Sequence, residues 1–126
     1  MKDPMALARL QAIAALKKDA ELARLAEVAQ SRNRLKASLD ALRRTEAPLD
    51  GSESGGQPVD PAMVGARLAH LRWVEAQQRL LNQKLAMVTA DYLRQKPTAA
   101  RAFGRATVLE QLVERQAEDL RRRGRK

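Results

Sequence analysis

The side chains that could do chemistry are few and scattered. His70 is the only histidine in the chain of 126 residues, so no two-histidine metal motif exists and any acid–base set has to be built around one imidazole. Its neighbours on a helix would be Ala66, Arg67, Trp73 and Val74, and none of them is a carboxylate able to orient the ring. Glu75 and Asp91 stand sixteen residues apart, neither with a paired acid beside it. Gly51-Ser52-Glu53-Ser54-Gly55-Gly56 is glycine-rich, yet it has neither the spacing nor the Lys before Ser or Thr that a phosphate-cradling loop needs. A flexible turn explains it better. The absence of cysteine removes thiol nucleophiles, thiolate metal sites and disulfides together. No catalytic constellation, cofactor site or metal site assembles, and the chain reads as a non-enzyme.

Two features could instead meet a partner directly. Trp73, Tyr92 and Phe103 are the only aromatics, and their spacing keeps them apart, which suits packing between helices. The basic tail, Arg121 to Lys126, has no aromatic within reach, so it lacks the stacking platforms of single-strand nucleic-acid binders. Its cations suit the negative end of a helix, and phosphate neutralisation by this tail, by Arg43-Arg44 or by Arg32, Arg34 and Lys36 is the less favoured alternative.

With no chemistry to position, what the elements present is a surface. Ala, Leu, Arg, Glu and Lys supply 73 of the 126 residues, above the roughly half share typical of long or coiled helices. β-Branched and aromatic residues are too few for a sheet core, and alanine contributes few methylenes, so a thin seam is expected rather than a globule. The fold class is all-α: one domain over 1–126, a long antiparallel helical hairpin or coiled coil with a kinked third helical segment at the C-terminus. The first helix covers 4–47, where Asp3 caps and Pro4 takes the first helical position. Its apolar stripe runs through Leu7, Leu10, Ile13, Leu16, Leu22, Leu25, Val28, Leu35, Leu39 and Leu42, with gaps after Leu16 and after Val28. At 1.5 Å per residue such a helix is roughly 65 Å long and needs a partner.

Residues 48–60 hold three glycines, two prolines and three acids with no base, which marks an acidic flexible loop. Asp60-Pro61 repeats the cap-and-proline signature, and a second helix is expected over 61–96 with Val64, Leu68, Leu71, Val74, Leu81, Leu85, Val88 and Tyr92 on its apolar face. Pro97 removes a backbone donor and clashes with the preceding turn, so a kink is expected there, followed by a helix over 98–122 and the tail at 121–126. A hairpin tip near residue 54 would set Met5 opposite Phe103. Everything beyond Gly104 would then overhang or fold back.

Net charge is +9: +4 over 1–46, −3 over 47–60, +2 over 61–93 and +6 over 94–126. Basic ends and an acidic middle could orient the chain on an acidic partner. No stretch approaches the roughly 18 apolar residues of a membrane span, and the N-terminus has no secretory layout; the expected location is cytoplasmic.

In the C-terminal segment Leu109, Glu110, Leu112, Glu114 and Arg115 match a Leu-Glu-x-Leu-x-Glu-Arg pattern. This resembles the FliJ/YscO-like stalk proteins of flagellar and type III export. The resemblance implies a small, basic antiparallel coiled coil whose paired ends insert into the hexameric export ATPase and which contacts the export gate protein, on the cytoplasmic side or peripheral to the inner-membrane apparatus. It also implies that Arg9, Arg105, Leu109, Glu110, Leu112, Glu114 and Arg115 meet the partner. The rival reading is a coiled-coil adaptor or chaperone that uses the Leu109/Leu112 face to hold another helix or to self-associate.

Overall fold

The computed structural model describes residues 3–46 and 60–125. They form two helices, α1 over Pro4–Glu46 and α2 over Pro61–Gly124, and no strand occurs among the described residues. The acidic loop expected at 48–60 lies, but for Asp60, outside them. Both helix starts carry the cap seen in the sequence. Asp3 accepts from the amide of Met5 at 3.0 Å and Asp60 from that of Ala62 at 3.1 Å, each with proline at the first helical position.

The expected third segment does not form as a separate element: α2 passes through Pro97 to Gly124. Packing accounts for this. Gln95 is half-buried before the proline, Ala99 and Ala102 are buried after it, and Pro97 itself is exposed, so the ring sits on the face that no helix covers. The lost hydrogen bond then falls where water can replace it.

The chain divides into two compact units. The terminal unit joins Met1–Val28 to Asp91–Lys126, and the central unit is Ala29–Ala90. In both, the least exposed positions repeat in steps of four and three. In the terminal unit they are Leu7, Gln11, Ala14, Lys18, Glu21, Leu25 and Val28 on α1, facing Tyr92, Gln95, Ala99, Ala102, Ala106, Leu109 and Val113 on α2. In the central unit they are Arg32, Leu35, Leu39 and Leu42, facing Leu71, Val74, Gln78, Leu81, Leu85 and Val88. A seven-residue repeat keeps one face turned to its partner over many turns.

That repeat corrects the expected stripe. Extended backwards from Leu42, Leu39, Leu35, Val28 and Leu25, it reaches Ala14 and Gln11 rather than Ile13 and Leu10. Leu10, Ile13, Leu16 and Leu22 are all exposed instead. Register differs too. Phe103 lies beside Lys18, not Met5, and in the central unit Leu39 and Lys36 share a surface with Asn82 and Leu85. In this register the buried Glu21 carboxylate has a partner across the seam, Gln95 Nε2 donating to Glu21 Oε2.

The consequence falls on both ends of α2. Its C-terminal part does not fold back, since α2 runs unbroken to Gly124; Ala106 is buried and Leu109 and Val113 are half-buried in the unit shared with the start of α1, while residues 118–125 are exposed. The start of α2 is exposed as well: residues 61–66 and 68–70 are exposed, among them Val64 and Leu68, which were expected on the seam. Trp73 and Phe103, also expected to pack inside, are more than half exposed.

Candidate functional site

The terminal unit has an alanine seam. Ala99, Ala102 and Ala106 are its buried residues on α2, with Leu7 and Glu21 buried on α1. Small side chains let two helix backbones approach closely, and larger apolar groups flanking them are then left standing outside the contact. Glu21 is the one buried charged residue among those described. It is satisfied by Gln95, and Lys17 Nζ and Arg24 Nη1 each lie 3.8 Å from its Oε1, so both cations lie at the edge of the seam. Gln95 Nε2 also reaches the Glu21 carbonyl at 3.4 Å.

Displaced from the seam, the large apolar groups line a groove of about 630 Å³ along one face of the unit. Leu10 and Ile13 form one wall, Val108 and Leu109 the other, and Ala14, Ala102 and Gly104 complete the lining. Lys17, Arg101 and Arg105 contribute the charged groups, all of one sign. Arg101 and Arg105 enter no ion pair among the described residues. On α2, residues 101, 105, 108, 112 and 115 follow one another at steps of four and three, so Leu112 and Arg115 continue the groove's face toward the helix end.

The seven residues expected to meet a partner all lie in this unit. The structure brings Arg105 and Leu109 together in the groove, sets Leu112 and Arg115 on its face, and leaves Glu110 and Glu114 exposed off that face. Arg9 is exposed on α1 and is not part of the groove. Leu10, Ile13, Lys17, Arg101, Gly104 and Val108 were not expected from the sequence to meet a partner. The signal was present in the gap between Leu16 and Leu22: residues 10 and 13 fall out of step with the repeat that Leu25 and Val28 begin.

Elsewhere the surface offers less. Phe103 is exposed, with Lys18 Nζ 5.7 Å from its ring centroid, a cation–π contact that ties the two helices at the rim of the seam. His70 stacks on Trp73, with ring centroids 6.0 Å apart and planes at 23°, and among the described residues no ion pair involves His70. Among the described residues no three His, Asp or Glu side chains gather as metal ligands, and no helix is long and apolar enough to cross a membrane. No protein-family model, curated protein or solved structure matches this chain.

Proposed function

We propose that this chain is a non-enzymatic coiled-coil coupling protein whose working end is the unit where its two termini pair. The observation that supports this most is the pairing itself: residues 1–28 and 91–126 form one compact unit that carries every residue of the Leu-Glu-x-Leu-x-Glu-Arg pattern together with Arg9 and Arg105. On that resemblance the partner is the hexameric ATPase of a flagellar or type III export apparatus, with the export gate protein as a second contact, and the protein works on the cytoplasmic side of the membrane. Chemistry belongs to the ATPase, and this chain supplies a basic helical element that engages acidic surfaces of the ring.

The test is ATPase hydrolysis and hexamer population at near-physiological salt, with and without the full chain. A saturable rise in both is expected, lost in the Arg105→Glu/Arg115→Glu variant, whose exposed positions leave the fold intact. Deleting residues 105–126 is unsuitable here because Ala106 and Leu109 belong to the pairing. Unchanged hydrolysis with a folded, helical chain favours the second reading, a coiled-coil adaptor or chaperone for another helical protein, which the uncovered apolar groove supports on its own.

A further inference from the structure

We infer that the groove of the terminal unit binds an amphipathic helix whose apolar stripe is flanked by acidic residues, making a third strand of the coil. The inference deepens the reading above, since it rests on the terminal unit being the working end.

Shape argues for a helix. The groove lies between two antiparallel helices, and its walls come from residues three and four apart, Leu10 with Ile13 and Arg105 with Val108 and Leu109. Such a surface accepts the ridge of another helix, and an extended peptide has no sheet edge to join. Leu10 and Ile13 are 39% and 63% exposed and Val108 54%, so the walls are available, and about two turns of the incoming helix would fill them. Apolar side chains at one face of those turns are therefore the anchors.

Charge selects the flanks. Lys17, Arg101 and Arg105 are the charged residues of the lining, and no acid joins them. Carboxylates beside the incoming apolar stripe meet guanidinium groups in a partly desolvated groove, where charge pairing sets register and rejects wrong partners. A second copy of this chain is a poor occupant by the same criterion, because residues 94–126 carry ten bases against four acids and would be repelled.

Gly104 gives a clean way to close the groove. A Cβ at this position meets nothing within 4 Å, and leucine favours a helix over glycine, so Gly104→Leu blocks the site while strengthening the fold.

The experiment titrates the full chain into a fluorescently labelled designed helix of about 20 residues, leucine-striped and flanked by Glu, beside a twin in which every Glu is Lys. Saturable binding of the Glu peptide is expected, weakening from about 50 to about 300 mM salt and at least about tenfold tighter than the twin. Gly104→Leu should abolish it with helicity and melting temperature kept or raised, and Arg101→Glu/Arg105→Glu should reverse the preference. Equal binding of the two peptides, no binding of either, or indifference to both variants overturns the inference. A concentration-dependent rise in mass that Gly104→Leu abolishes, without peptide binding, makes a second copy the occupant and overturns it too. The titration contains no ATPase. Peptide binding with unchanged hydrolysis keeps this inference and removes the export reading, and stimulated hydrolysis without peptide binding does the reverse.

Discussion

The two units of this chain share one pattern and fill it with different residues. In the central unit the seam holds Leu35, Leu39 and Leu42 against Val74, Leu81, Leu85 and Val88, and Val74 is wholly buried. In the terminal unit Leu7, Leu25, Val28, Leu109 and Val113 share the seam with Ala14, Ala99, Ala102 and Ala106, and with Glu21 and Gln95 between them. Burial contributes about 0.8 kcal/mol per methylene, so the leucine seam stabilises its unit more per turn. The alanine seam leaves Leu10, Ile13, Leu16 and Leu22 on the surface. The central unit exposes Met63, Val64, Leu68, Trp73, Leu80 and Met87 as well, so what sets the terminal unit apart is the alanine on its seam and the apolar groove beside it.

Substitutions can break that contrast in order of size. Val74→Asp places an unpaired carboxylate at a site with no exposure and should cost about 3–5 kcal/mol, seen as loss of helical circular dichroism at room temperature. A folded, stable variant would show that the central seam is loose. Leu39→Ala should cost about 2–4 kcal/mol in denaturant unfolding, since the residue is 4% exposed.

The polar layer of the terminal unit comes next. Gln95→Ala strands the buried Glu21 carboxylate and Glu21→Ala leaves half-buried Gln95 without its acceptor, and each should cost about 1–3 kcal/mol. The double variant should cost less than the sum of the two, and simple additivity in a double-mutant cycle would deny the pairing. Smallest is Leu16→Ala, at a site 72% exposed. Its melting curve should stay within about 0.5 kcal/mol of the parent, although the substitution is the same in chemistry as Leu39→Ala.

Much of the fold was legible from local rules. Helix and cap assignments rest on residues whose effects reach only a few positions, such as Asp3-Pro4 and Asp60-Pro61, and both caps form as expected. Register was not legible, because it depends on which polar residues face each other across the seam. Glu21 and Gln95 are 74 residues apart, and nothing local to either marks the other. Pro97 was overread for a related reason: a proline disrupts a helix in isolation, but packed residues on both sides hold this one through. The groove was half legible. Leu109 and Leu112 were visible as a face of one helix and Arg105 and Arg115 were implied by the resemblance, whereas the opposite wall came into view only when Leu10 and Ile13 proved to lie off the seam.

The aromatic residues, so sparse in this chain, are distributed in a useful way. Trp73 belongs to the central unit and stands next to fully buried Val74, while Tyr92 is half-buried in the terminal unit. The only indole and the only phenol therefore report on different seams, and each can be followed at its own wavelength during melting. Coincident curves would mean the leucine-rich and alanine-rich seams unfold as one cooperative body. An earlier phenol transition would show the alanine-rich terminal unit opening first, with the central unit still intact.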